Sequence, residues 1–260
     1  MLSHIRLETY MRRAAMLGRD AVEIPPFVCL FNPDDQLRFF NYAKPLEPVG
    51  TESDGLNESL ATLREAFRAR ERMPRFEFIE EYAPDLGPAL AAAGFSLEDR
   101  YPLLVCTPET LGQMPPVAGL TITTLTPDSP AEDLLACMHV QKQAFGDVAG
   151  DPPTMEDVND LRGNLADDGA FVARLEGVPV AAMMYTAPLD GLTELAGGAT
   201  LEAYRRRGIG AAMAAAATAT AFERGVEIVF LTAASEYASR VYQRVGFRWY
   251  GTGLAYADEG

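Results

Sequence analysis

Residues 194–213 read ELAGGATLEAYRRRGIGAAM, and this stretch leaves the chain few ways to fold around it. ELAGGAT has the character of a strand, a short turn follows, and two glycines open an alanine-rich helical run. The first amides of a helix have no internal acceptor and carry the positive end of the helix dipole, so a helix start of this kind holds phosphate. Glycine allows close backbone approach, and arginine adds fork-shaped, charge-assisted hydrogen bonds to phosphate oxygens. Gly208 and Gly210 inside a helical pattern each cost about 1 kcal/mol relative to alanine, which argues that the glycines are kept for a ligand. The alternative is a solvated arginine cluster behind a glycine cap. A P-loop is excluded because the stretch has no lysine. A Rossmann fingerprint lacks its third glycine, since Ala211, Ala212 and Met213 follow Gly210.

The charge of the whole chain sharpens the point. Net charge at pH 7 is −15, yet residues 201–260 hold seven arginines against six carboxylates, a balance of +1 that leaves −16 for the first 200. An acidic body repels nucleic acid and anionic membrane, so neither is expected as a partner. The C-terminal segment is where an anion is welcome. At 260 residues the chain has room for one large or two small domains, and a 48 % hydrophobic fraction supports a sizeable core. No run of about 18 apolar residues exists, and the start MLSHIRLETYMRRAAMLGRD reads as an amphipathic helix rather than a secretory signal. Cys29, Cys106 and Cys137 lie far apart, without metal-ligand spacing. They read as reduced, packed thiols of a cytoplasmic protein that needs no metal.

Along the chain, helical spacing predicts helices at 4–18 and 56–72, and β-like runs fall at 27–31, 37–43 and 76–81. PDLGPALAAAGF reads as a short helix and YPLLVCTP as a strand. Three prolines in 108–118 mark a linker. Beyond it come a strand (GLTITTLTP), a helix with Ser129 as cap and Pro130 in its first turn, and a second helix at 155–166. Strands GAFVARLEG, VPVAAMMYTAP and GLTELAGGAT follow, then a helix from about 207 to 224, a strand at 227–233, a helix at 236–245 and a closing GFRWYGTGLAYA. The class is α/β (α+β). FEFIEEYAPDLGPALAAAGFSLEDRYPLL and EIVFLTAASEYASRVYQRVGFRWYGTGL share the order strand, helix, Gly-Phe, strand, which points to a duplicated unit.

Arg205, Gly208 and Gly210 satisfy the pattern [RQ]-x-x-G-x-[GA]. Over residues 119–258 the chain resembles the GNAT superfamily of acetyl-CoA-dependent N-acetyltransferases, in element order as well as in this signature. SEYASRVYQRVGF also resembles the family segment N-x-x-A-x-x-x-Y-x-x-x-G-F, with Ala238, Tyr242, Gly246 and Phe247 in place and Ser235 for the asparagine. Glu202 stands where many members have proline. The first half looks like a degenerate copy, with Leu90 at the tyrosine position. The resemblance therefore implies two GNAT-like domains, 1–107 and 119–260, joined by the linker 108–118. Each would be a mixed, mostly antiparallel sheet flanked by helices, with one active site in the second.

The same resemblance implies the roles. Gly198, Ala199 and Thr200 would pair with the pantetheine arm of acetyl-CoA, and its pyrophosphate would lie on the amides of Arg206, Arg207, Gly208, Ile209, Gly210 and Ala211, with Arg205 and Ser235 assisting. Tyr242 matches the acid that protonates the departing thiolate, and Glu194 matches the position of a glutamate base, with a water relay as its alternative. The implied reaction is direct attack of a primary amine, of a small molecule or an amino acid, on the thioester through a tetrahedral oxyanion. A non-catalytic acyl-CoA sensor or scaffold of the same fold is the second reading, and a nucleotide-binding oxidoreductase the third. His139 reads as a packed or surface residue with an acid–base role as its alternative. Asp147 and Asp151 are candidates to meet a cationic amine, and Trp249 and Tyr250 to line the acceptor pocket. A monomer or homodimer is expected.

Overall fold

The computed structural model describes residues 2–49, 55–146 and 152–259. The chain forms two compact units, one of Met1–Leu103 with Tyr250–Gly260, the other of Leu104–Trp249. Asp147 and Asp151 lie outside the described residues.

The first unit contains α1 (His4–Met16), β1 (Asp20–Ile24), β2 (Phe27–Phe31), β3 (Tyr42–Pro45), α2 (Leu56–Arg68), β4 (Arg75–Ile79), α3 (Leu86–Ala92) and most of β5 (Ser96–Cys106). Its remaining strand is β11 (Arg248–Ala257), which pairs antiparallel with β4 in the register Gly253↔Ile79 to Ala257↔Arg75. Strand order is β1-β2-β3-β4-β11-β5, with β3 and β4 parallel. Helix α2 places Leu56, Leu60, Leu63 and Phe67 on one face at helical spacing, and all four are buried. Beneath lie edge-on ring pairs, Phe27–Phe76 and Phe31–Phe67, with centroids 5.0 and 4.8 Å apart. A buried ion pair, Glu8 Oε1 to Lys44 Nζ at 2.9 Å, crosses this core. Its charges are further satisfied by the amide of Ile79, which donates to Glu8, and the carbonyl of Glu77, which accepts from Lys44.

The second unit contains β6 (Leu120–Leu125), α4 (Ala131–Ala144), α5 (Met155–Asn164), β7 (Gly169–Leu175), β8 (Val178–Tyr185), β9 (Leu192–Thr200), α6 (Ile209–Glu223), β10 (Ile228–Thr232) and α7 (Glu236–Val245). Strands run in the order β6-β7-β8-β9-β10. The first four are antiparallel and β10 is parallel to β9. Alternation along β7 sorts the two faces: Ala170 and Val172 pack with α4 and α5, while Phe171 and Ala173 pack with α6 and α7. Leu104 and Cys106, the end of β5, join the latter cluster. Each unit is thus a mixed, mostly antiparallel sheet flanked by helices.

The predicted duplication is present in three dimensions. Elements β4–α3–β5 and β10–α7–β11 repeat one order, and each helix is followed by a left-handed glycine, Gly94 at φ +92 and Gly246 at φ +118. Phe95 and Phe247, directly after them, are both buried.

Three local expectations change. The run 37–43 does not form one strand. Residues Arg38–Phe40 make a single helical turn, because the Asn41 amide donates to the carbonyls of Asp35 and Leu37 and its oxygen accepts from Asn32 N–H. Strand β3 begins only at Tyr42. Ser129 does not cap α4, whose cap residue is Pro130. The Ser129 hydroxyl instead accepts from Thr126 N–H at 2.9 Å, closing the preceding turn. The segment 108–118 has no regular structure, yet it is pinned rather than loose. Gly112 N–H donates to Val245 O at 2.8 Å, and a methyl group built on Gly246 would lie 1.9 Å from Thr110 O.

Candidate functional site

The second unit opens where β9 and β10 part. Their parallel register covers only Leu192, Thr193 and Glu194 against Ile228, Val229 and Phe230. Strand β9 continues to Thr200 with β8 alone along it, so its other edge faces a cleft rather than a strand. A bulge in its pairing with β8 shapes the strand there: Gly197 and Gly198 together stand opposite Met183. Gly197 takes φ +60, which glycine allows without cost, and its carbonyl accepts from the Gln141 amide at 3.0 Å.

After β9 the chain makes one helical turn, Glu202–Tyr204, tied back by Arg205 Nε donating to Thr200 O at 3.1 Å. Arg206 and Gly208 then both adopt positive φ, +63 and +84, so successive amides turn inward as a concave nest before α6 starts. Ala212 N–H bonds to Gly208 O at 3.0 Å. The amides of Ile209, Gly210 and Ala211 precede it in the first turn, where no intrahelical acceptor exists, and no side chain caps them. The nest fits an anionic diphosphate: donors converge, the dipole is favourable, and at Gly210 only Thr200 Oγ1 comes near a built methyl group, at 3.6 Å.

The resulting cleft holds about 480 Å³ and is walled by β9, the α6 start and α7. Gly198, Ala199, Thr200, Arg205, Arg206, Gly208, Ile209, Gly210, Ala211, Ser235 and Tyr242 all line it. Two residues named from the sequence do not. Arg207 turns aside, with its guanidinium over the Tyr204 ring at 5.4 Å and Nη2 donating to Ala203 O. Glu194 lies at the apex where the strands part, outside the lining. Ser235 is the cap of α7, its hydroxyl accepting from Ala238 N–H at 3.2 Å. His139, Trp249 and Tyr250 are also absent from the lining.

Tyr242 projects from α7 towards the bulge. A methyl group built on Gly198 would lie 2.9 Å from the tyrosine oxygen and 2.9 Å from Met183 Cε. The ring is held edge-on against Phe247, centroids 5.8 Å apart. Its hydroxyl has no hydrogen-bond partner among the described residues. Burial pushes its pKa above the ordinary tyrosine value, so the proton stays on through neutral pH. A half-buried phenol with no partner within the protein, lining a cleft, is placed to donate to a guest.

Sequence reasoning overlooked Phe145, Met183 and Arg244, which also line the cleft. Arg244 gave an ambiguous signal, because a basic residue in the last turn of a helix also serves the helix dipole. Phe145 is 66 % exposed at the end of α4, and nothing in its local sequence marks it. Among the described residues no carboxylate lines the cleft, no cluster of three or more His, Cys, Asp or Glu could hold a metal, and no helix is long and apolar enough to cross a membrane.

Comparison with known proteins agrees with this geometry. The Acetyltransferase (GNAT) family model matches residues 134–247, all within the second unit. A solved GCN5-related N-acetyltransferase from Kribbella flavida is 32 % identical, with all of this chain and 97 % of that one covered and a TM-score of 0.83. A GCN5-related N-acetyltransferase from Sphaerobacter thermophilus shares the fold at 17 % identity, coverage of 89 % and 80 %, and TM-score 0.64. A tandem GNAT protein from the clavulanic acid biosynthesis pathway does so at 16 %, with coverage of 89 % and 77 % and TM-score 0.62. No curated protein matches significantly. With a full-length relative at that identity and the family model seated on the divergent strands and the α6 nest, the chain belongs to the GCN5-related N-acetyltransferase (GNAT) family.

Proposed function

We propose that residues 104–249 transfer an acetyl group from acetyl-CoA to a primary amine of a small molecule or amino acid. The observation that carries this reading is the partnerless hydroxyl of the half-buried Tyr242 facing Gly198 across the cleft. The nest of Arg206 to Ala211 suits the diphosphate, and the free edge of β9 from Gly198 to Thr200 suits the amide-rich pantetheine arm. In the reaction the amine lone pair attacks the thioester carbonyl carbon and the carbon–sulfur bond breaks. The leaving thiolate takes the Tyr242 proton, and backbone N–H groups at the β9 edge stabilise the oxyanion in passing. Glu194, set back from the lining, receives the amine proton through water. The phenol is then reprotonated from solvent.

Replacing Tyr242 with Phe tests the reading. The expected result is a kcat lower by about 100-fold with acetyl-CoA affinity unchanged, since the hydroxyl makes no ground-state bond within the protein. The absence of a carboxylate from the described lining favours a second reading, an acyl-CoA sensor. On that reading acetyl-CoA binds but no amine releases thiol, with or without Tyr242.

A further inference from the structure

Helix α4 turns one face to the sheet, and Leu134, Cys137 and Val140 on that face are buried. Helical spacing from Leu134 and Cys137 puts position 141 on the same face, and there the chain carries a glutamine. A polar amide turned towards a packed sheet is costly unless it finds a partner. Gln141 is half-buried and finds one, since its Nε2 donates to Gly197 O at 3.0 Å. The same nitrogen would lie 2.5 Å from a methyl group built on Gly197, so the carbonyl and the Cβ direction of that glycine both face α4. Gln141 itself does not line the cleft.

The peptide that Gln141 holds is the one at the bulge. It is trans and planar, so the Gly198 N–H points away from the Gly197 carbonyl. That direction leads away from α4, to the side where a methyl group built on Gly198 would meet the Tyr242 hydroxyl. Gly198 lines the cleft. Glycine stands on both sides of this peptide, and neither residue has a Cβ to oppose rotation of the unit as a whole. A flip would aim a carbonyl oxygen at the cleft in place of an N–H, and that oxygen would repel a developing oxyanion. The Gln141 bond forms in one orientation alone.

We propose that Gln141 is a positioning residue for acyl transfer: its bond to Gly197 O holds the bulge peptide so that the Gly198 N–H meets the thioester oxygen as that oxygen becomes an oxyanion. The inference rests on the acyltransferase reading above and deepens it, by naming the residue outside the cleft that orients the oxyanion donor. Gln141 exchanges no proton with the substrate and touches no reacting atom.

Two variants of the full chain test it. Gln141→Met keeps the length and removes the N–H, while Gln141→Glu keeps the shape and turns an acceptor towards the carbonyl. Each is compared with the unaltered protein in three measurements. Transfer from acetyl-CoA to a panel of amino acids and small primary amines is read as thiol release, coenzyme A binding by calorimetry, and the carbonyl stretch of bound, isotope-labelled acetyl-CoA by difference infrared spectroscopy. The expected kcat is about tenfold lower for Gln141→Met, the size of one hydrogen bond lost from a two-way equilibrium, and at least as low for Gln141→Glu. Coenzyme A, which has no thioester carbonyl, binds both variants as before. The carbonyl stretch of bound acetyl-CoA moves to higher frequency as its hydrogen bond is lost. If the unaltered protein acetylates amines and the variants match it in kcat and in the stretch, the positioning role is overturned and the acyltransferase reading stands. A loss of coenzyme A affinity in step with kcat also overturns the role, because it marks a general loosening of β9. Absence of thiol release from the unaltered protein with every amine overturns both.

Discussion

Gly198→Ala displaces the reactive hydroxyl without removing it. Gly198 is not in the left-handed region, so the backbone accepts a side chain and the consequence is purely steric. The added methyl meets Tyr242 Oη and Met183 Cε at 2.9 Å each, and ordinary contact of roughly 3.5 Å requires each to retreat by about 0.6 Å. Met183 is unbranched and moves easily. Tyr242 is braced against Phe247, so its ring must tilt away from the bulge. Overpacking of this kind costs about 1–3 kcal/mol of stability, which a folded domain of this size survives. A misplacement approaching 1 Å costs catalysis up to about 100-fold, so kcat should fall about 10- to 100-fold with donor Kd nearly unchanged. Steady-state kinetics with titration of donor binding read both quantities. The decisive comparison is with Tyr242→Phe. If Gly198→Ala acts through the hydroxyl, it does little more once the hydroxyl is gone, and the double variant matches Tyr242→Phe alone. Fully multiplicative losses would refute the reasoning.

Gly210→Ala should separate fold from binding. The helix gains about 1 kcal/mol of propensity with no clash, while the methyl intrudes on the nest; Tm rises and acetyl-CoA affinity drops, and a variant that binds as before refutes the nest. The pH profile follows from the raised pKa of Tyr242. An acid is competent below its pKa, so the tyrosine imposes no alkaline fall in kcat below about pH 10; a fall nearer pH 8 that vanishes in Tyr242→Phe would contradict the assignment. In the first unit, Glu8→Gln leaves Lys44 buried without its counter-charge and should cost about 3–5 kcal/mol in denaturant unfolding. Replacing both with Met should recover most of it, and a single-variant loss below about 1 kcal/mol would mean water reaches the pair.

What the sequence disclosed depended on how local the cause was. The α6 start was legible because its glycines and arginines make their geometry within six residues, and α7 because Ser235 caps it and Gly246 ends it. The turn at 37–41 misled because hydrophobic character outvoted a single side chain, Asn41, whose three hydrogen bonds decide the conformation. Strand β1 went unseen because DAVEI carries two charges and lies at a sheet edge with one paired neighbour. At the site, Tyr242 was found through its motif. Arg207 and Glu194 could not be sorted from the cleft residues beforehand, because which way each side chain turns is set by Tyr204 and by the parting of β9 from β10. Arg244 and Phe145 join the lining only through tertiary packing, which no spacing reports.

The pairing of β4 with β11 has a consequence for how the protein is made. Ile79 and its partner Gly253 are 174 positions apart, and the whole of Leu104–Trp249 lies between them. At about 5–20 residues per second, translation reaches Gly253 roughly 10–35 s after Ile79 has been joined to the chain. Through that interval the first unit has emerged with β3 on one side of β4 and no strand on the other, exposing a phenylalanine-rich edge of the kind that templates aggregation. The second unit, Leu104–Trp249, is one contiguous stretch and meets no such delay. Completion of the first unit's sheet therefore waits on the last strand of the chain, after all of the second unit has been synthesised.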